Sequence, residues 1–274
     1  ARARGLDITA DQYPYHASGS GPGAWMPEWA HEGGNEALLQ RMKDPETRPK
    51  LIEELHKVMM IRGGPEAALI RSYPLNDDYV GKFVSEVTEM LGRDDPTETL
   101  LDLYQEHLEK VVAGEIKGGF SFASFNQPEK NVEKIMKKPW VMTSSDGSVH
   151  APYGPLAKYV PSPHPRYYGT FPRVLGRYVR ERGLMSLEEA IRKMTSLGYQ
   201  KLGIFDRGLL AQGMWADITV FDPNTVIDKA EFTPPEATMR YPEGIPYVIV
   251  NGVVTIEEGE HTGALAGKVL RKNK

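Results

Sequence analysis

The sequence predicts an α/β body followed by a smaller β-domain. Three observations carry this. An alternating aromatic run, Gly118–Phe125, is followed by a helical stripe and then a second apolar run, Trp140–Ser145. Before them come several stripes with apolar residues three and four apart, the period of half-buried helices. From Gly203 the texture changes to short alternating runs with turn residues between them. One of these turns is Asn251-Gly252, a strong two-residue hairpin signal. The body is therefore set at 1–202 and the small β-domain at 203–274.

The composition excludes several classes. With 274 residues, 40% hydrophobic and 26% charged, the chain has the make-up of an ordinary globular protein. Its 33 basic and 37 acidic residues give a formal net charge of −4, with no Lys/Arg-rich block, so no nucleic-acid partner is expected. No apolar run approaches the roughly 20 residues of a membrane span, so no membrane is expected either. The absence of Cys removes disulfides and thiolate ligands from this chain and fits a reducing compartment such as the cytoplasm. Ala1-Arg2-Ala3-Arg4-Gly5 reads as the last turn of a helix ended by Gly. A chain that opens this way reads as a piece of something longer.

In order, Leu6–Tyr13 alternates like a first strand. It empties Gln12-Tyr13-Pro14-Tyr15-His16 into a Gly/Ser/Pro loop, as strands do at the active face of an α/β barrel. Residues 25–48 read as loops with a short helix. Pro49 suits the first turn of a helix carrying Leu51, Ile52, Leu55, Val58 and Met59 on one face. Ala67–Tyr73 reads as a strand. Asp77-Asp78 and Asp95-Pro96 read as the starts of two helices, whose stripes make a helical insertion from about Tyr79 to Val112. His56 and His107 lie beside such stripes and read as structural. Pro128 to Lys138 is a helix between the two strands Gly118–Phe125 and Trp140–Ser145. Strand, helix, strand in succession predicts that these two strands are parallel neighbours. Thr170–Arg182 is a helix interrupted by Pro172. Ser186-Leu187-Glu188-Glu189 is a capping box opening another. Ala216–Phe221, Tyr247–Val250 and Val253–Ile256 are strands of the small domain.

The chemistry gathers after Trp140–Ser145. Asp146 follows that run and precedes Gly147, where barrel enzymes present acid/base groups. Ser144 and Ser145 stand next to it as possible donors. The other reading of Asp146 is a turn residue bonding its own loop. The Pro-rich loop beyond adds His150 and His164-Pro165-Arg166. An Arg fork near an acid is suited to clamp a substrate carboxylate, and a His between prolines to carry a proton. Solvated loop residues are the alternative. The seven His show no metal-ligand spacing, and there is no GxSxG, P-loop or GxGxxG motif.

Several collinear blocks resemble one family. They are Asp7–Tyr15, Ser145-Asp146-Gly147, His164–Leu175, Gly213–Asp222, and Tyr241-Pro242-Glu243-Gly244-Ile245 running to Asn251-Gly252. Together they are similar to the N-acyl-D-amino-acid deacylases (D-aminoacylases) of the amidohydrolase superfamily. The resemblance implies a C-terminal portion, the last three strands, of a (β/α)8 metal-dependent hydrolase barrel, plus part of a small β-sandwich domain. It implies Zn, as one or two ions, with most ligands expected outside this chain and Asp146 as the metal-ligating acid present. It implies hydrolysis of the amide of an N-acyl-D-amino acid, with Asp146 as general base and acid on a zinc-bound water. Arg166 is implied to hold the substrate carboxylate. Tyr13 or Tyr15 is implied to be the aromatic that contacts the substrate, and His164, in the same block as Arg166, to stand near it; Ser145, beside Asp146, is a further candidate for substrate binding. The partners implied are the acyl-amino-acid substrate and the N-terminal half of the same enzyme, as a companion chain or lost by cleavage. The alternative is a non-catalytic fragment or pseudoenzyme that binds a small acid or partner chain without turnover.

Overall fold

The computed structural model describes residues 1–117, 119–154 and 162–271. The first residue of the expected Gly118–Phe125 strand and the middle of the Pro-rich loop lie outside the described residues.

Strand β1 is Ala10–Gln12, shorter than the Leu6–Tyr13 pattern. Leu6 and Ile8 are about half exposed and have no strand partner among the described residues. At Ala17 the chain leaves on a long excursion. It runs through β2 (Ser18–Ser20), α1 (Gly34–Lys43), α2 (Arg48–Ile61), β3 (Ala68–Ser72), α3 (Val84–Met90), α4 (Pro96–Val112) and β4 (Ser121–Ser124). The three strands form an antiparallel sheet with β4 in the middle, Ser124 facing both Ser18 and Ala68. The four helices cover it around one apolar core that includes Trp25, Leu38, Leu51, Leu55, Ile70, Leu100 and Phe122. The insertion is therefore an α/β unit from β2 to β4, larger than the helical segment 79–112.

Local chemistry sets its boundaries. Asp95 caps α4 by accepting from the N–H groups of Thr97 and Glu98 at 2.7 and 3.3 Å. The helix expected from Asp77 begins only at Val84. Residues 81–83 instead pair with the edge of β3, Gly81 N donating to Ile70 O and Ile70 N to Lys82 O, both at 2.8 Å. The backbone hydrogen bonds of this segment go to the sheet, so they cannot also go to a helix.

After β4 come α5 (Glu129–Met136) and β5 (Val141–Thr143). β5 pairs in parallel with β1, Ala10 opposite Val141 and Gln12 opposite Thr143. This corrects the expectation that Gly118–Phe125 and Trp140–Ser145 are parallel neighbours. Both edges of β4 are taken by antiparallel partners inside the excursion, and its aromatic side chains fill that unit's core. The parallel unit is β1, α5, β5, with the excursion inserted before the helix. Among the described residues two parallel strands are present, rather than three.

Helix α6 (Arg166–Arg173) starts earlier than the predicted Thr170, and runs into a wide π-helical stretch from Val174 to Glu181. Pro172 inside it has no N–H to give the preceding turn, and a widened turn follows. The following α7 (Leu187–Met194) is capped by Ser186, and α8 (Ser196–Leu202) begins after a break at Thr195. Two glycines let this helix approach its neighbours. A Cβ on Gly169 would stand 2.5 Å from the Tyr15 hydroxyl, and one on Gly176 2.5 Å from Val226 O. α5, the π-helical stretch and α7 share a second core with Val132, Val174, Tyr178, Ala190 and Val226.

The last strands form one antiparallel sheet of β6 (Ile218–Val220), β7 (Tyr247–Val250), β8 (Val253–Glu257) and β9 (Glu260–His261), in that order. The buried Arg207 ties its entry to the Asn251-Gly252 turn by pairing with both Asp217 and Asn251. Between β6 and β7 the chain returns to the body, where Asp228 and Phe232 pack against residues following β1. Among the described residues, no helix is long and apolar enough to cross a membrane.

Candidate active site

The parallel register of β1 and β5 places their C-terminal ends side by side, Ser144 N donating to Gln12 O at 3.1 Å. Whatever follows each strand therefore shares one rim, as at the active face of α/β proteins. The cleft there has a volume of about 420 Å³, within the range of small-molecule sites. It is lined by Asp11 and Gln12 from β1, Tyr13 and Tyr15 just after it, Ser144 and Asp146 just after β5, and Gln127 and Ile135 from the return of the excursion and α5.

Asp146 sits in the left-handed region with φ of 46°, a conformation Asp tolerates because its short carboxylate bonds locally. This turns its side chain outward, 63% exposed, toward Arg166 Nη2 at 3.2 Å. Arg166 opens α6 and is largely covered. Its guanidinium lies 5.1 Å from the centre of the Tyr13 ring, a cation–π contact. Its buried Nε has no hydrogen-bond partner among the described residues. Gln12 Oε1 and Tyr15 Oη beside the cleft are likewise buried and without partners among the described residues. Gln12 and Tyr15 line the cleft, so these atoms are available to a polar ligand or water there.

The other residues expected at the site have the following surroundings. Ser145 Oγ accepts from Gly147 N at 3.2 Å and shapes the turn; neither Ser144 nor Ser145 donates to Asp146. Gly147 itself packs against Tyr167, where a Cβ would come within 3.1 Å of the ring. His150 Nδ1 bonds the Tyr168 hydroxyl at 2.9 Å. Tyr15 is buried, with the Arg173 guanidinium 4.7 Å over its ring. His164 is only 4% exposed, and it is packed behind the cleft instead of lining it. Burial, with the charges of Arg166, Arg71 and Arg173 adding to it, pushes its pKa down to about 3, so the ring stays neutral. Burial also raises the pKa of Tyr13, keeping a neutral phenol under the guanidinium.

Gln127 and Ile135 were not read from the sequence as site residues. They reach the rim only because the excursion returns directly into α5. Asp228 and Phe232 were also missed, since nothing local signals that a small-domain connection packs under the site.

The donor set does not fit a metal centre on its own. Among the described residues, no three His, Asp or Glu side chains converge so as to hold an ion. Asp146 is a single carboxylate, and the charged group facing it is a cation.

The profile described as the amidohydrolase family matches residues 9–256. The chain belongs to the amidohydrolase family. This amidohydrolase chain is 42% identical to the D-aminoacylase of Alcaligenes xylosoxydans xylosoxydans over 54% of its own length and 28% of that protein. It is 37% identical to the N-acyl-D-aspartate deacylase of the same organism, over 73% of this chain and 34% of that protein. Among solved structures it resembles a D-aminoacylase studied for one-metal activation and second-metal attenuation at its binuclear metal center. The TM-score is 0.65 at 29% identity, covering 97% of this chain and 43% of that one. It also resembles an N-acyl-D-glutamate deacylase from Bordetella bronchiseptica complexed with zinc and a phosphonate mimic of the tetrahedral intermediate. There the TM-score is 0.60 at 27% identity, over 93% of this chain and 40% of that one. The amidohydrolase chain thus spans 28–34% of the length of these two curated relatives.

Proposed function

We propose that this chain supplies the acid/base group and the carboxylate clamp of a metal-dependent amidohydrolase acting on N-acyl-D-amino acids. The carrying observation is the Asp146–Arg166 pair at 3.2 Å on the rim of the cleft, with the guanidinium over Tyr13. Asp146 is exposed enough to meet water and substrate. As general base it takes a proton from the attacking water, and as general acid it gives that proton to the leaving nitrogen. Arg166 offers Nε and one Nη edge to the two oxygens of the substrate carboxylate, a bidentate fit that Lys cannot reproduce. The Tyr13 face limits how far the guanidinium can move, which pre-orients the fork.

One or two zinc ions would be held largely by residues outside this chain, in the N-terminal half of the same enzyme, with Asp146 contributing one carboxylate. The two-stranded parallel sheet supports this. Its outer edges carry unpaired backbone groups among the described residues, and such edges are normally covered. Leu6 and Ile8 beside β1 are left about half exposed.

The test uses the active enzyme that contains this chain. Arg166→Ala is expected to raise KM for N-acetyl-D-leucine by about 10–100-fold, the loss of a charge-assisted pair. The KM for N-acetyl-D-leucinamide, which lacks the carboxylate, is expected to stay near the parent value. Equal effects on both substrates would remove Arg166 from carboxylate binding. Binding of the acid without any turnover would favour the non-catalytic alternative.

A further inference from the structure

The reading of Arg166 as the clamp leaves one question: what holds a long, flexible side chain at the start of a helix in a single direction. The residue two before it answers this. His164 makes two hydrogen bonds that constrain each other. Its Nε2 lies 2.9 Å from Ala17 O, a group that can only accept. Its Nδ1 lies 3.1 Å from Arg166 N, a group that can only donate. Only the neutral tautomer with the proton on Nε2 satisfies both. The ring thereby caps the first turn of α6 and ties it to the loop leaving β1.

The setting removes other orientations. The ring meets Tyr15 at 5.2 Å and Phe232 at 4.9 Å between centroids, both edge-on. Tyr13, which carries the Arg166 guanidinium on its face, is 6.1 Å away on another side. A Cβ on Gly19 would lie 3.7 Å from the ring. The two bonds therefore join the backbone from which Arg166 springs to the loop that runs from Tyr13 to β2.

We propose that His164 is a positioning residue, its imidazole locked in one tautomer between Ala17 O and the Arg166 N–H so that the Arg166 fork is aimed into the cleft. It does not touch substrate. This rests on the proposed role of Arg166, and the experiment separates the two.

Two conservative variants divide the two bonds. The Oδ1 of Asn stands near the position of Nδ1 and keeps the acceptor for Arg166 N. The Nε2 of Gln stands near the position of the imidazole Nε2 and keeps the donor to Ala17 O. In the active enzyme, His164→Gln is expected to raise KM for N-acetyl-D-leucine by about tenfold while changing kcat by less than about twofold, since the helix N–H that orients the clamp loses its acceptor. His164→Asn is expected to restore KM to within about threefold of the parent. Neither should change KM for N-acetyl-D-leucinamide. A merely structural role would move both substrates together and would not distinguish Asn from Gln.

Arg166→Ala run in parallel separates the failures. If it shows no penalty confined to the carboxylate substrate, the clamp reading and this inference fall together. If it does, and His164→Gln shows none, only the inference falls. Should a variant not fold, histidine nitrogen NMR of the parent decides. A neutral His164 with its proton on Nε2 between pH 5 and 8 is the expected state; a proton on Nδ1 or a doubly protonated ring in that range overturns the proposal.

Discussion

Asp146→Asn in the active enzyme is expected to lower kcat by about 10²–10⁴-fold, the usual contribution of a positioned acid/base group. Asn is the informative substitution. It tolerates the left-handed backbone at this position as Asp does, so the turn into Gly147 is kept. It presents nearly the same shape to Arg166 but cannot accept a proton. The carboxylate is 63% exposed, and the ion pair it makes there is of the kind that adds little to folding. Loss of turnover with an unchanged melting temperature is therefore the expected combination, read by kinetics and thermal unfolding on one sample. A kcat within a few-fold of the parent would remove Asp146 from the proton transfer.

Asp228→Ala is expected to destabilise the fold by about 3–5 kcal/mol, the cost of leaving a buried charge without its partner. Asp228 Oδ2 accepts from Arg173 Nη1 at 2.8 Å, and the two side chains are 7% and 11% exposed. Arg173 also donates from Nε to Pro14 O at 2.9 Å and lies over Tyr15. The pair thus ties the connection between β6 and β7 to the loop after β1. The comparison that decides the physics is Glu109→Ala, which breaks an exposed pair with Lys43 at a similar 2.8 Å. Equal distances would suggest equal effects, but water screens the exposed pair, and about 0–1 kcal/mol is expected there. Replacing both Arg173 and Asp228 by apolar residues should cost less than Asp228→Ala alone, since no charge is then stranded. Chemical denaturation of the three variants tests this ordering. Equal losses from Asp228→Ala and Glu109→Ala would contradict it.

Much of the local structure was legible because its signals are local. Asp95-Pro96 and Ser186 start helices by capping, and Asn251-Gly252 closes a hairpin, each within a few residues. The order of strands was not legible in the same way. Gly118–Phe125 and Trp140–Ser145 are consecutive in sequence with a helix between, and that adjacency predicted the wrong pairing. What decides it is where the Phe122 side chain is buried, in the core of an inserted unit, and that depends on helices some 20 to 80 positions earlier in the chain. The site divides along the same line. Asp146, Arg166 and Tyr13 were read from their place at strand ends and on the following loop, and the structure brings them together. His164 reads as a rigidly presented proton carrier because it lies between prolines, and nothing local in the sequence shows that it is buried. Its burial comes from Phe232, Tyr15 and Ala17, none of which its own neighbourhood in sequence reveals.

Release of free amino acid from N-acetyl-D-leucine by the active enzyme, followed beside its Asp146→Asn and Arg166→Ala variants, decides whether this chain carries the acid and the clamp of a deacylase site. Expected are release by the parent, almost none from Asp146→Asn at any substrate concentration, and a recoverable rate from Arg166→Ala when substrate is raised. Parent-like release from both variants, with the zinc content unchanged, would contradict this.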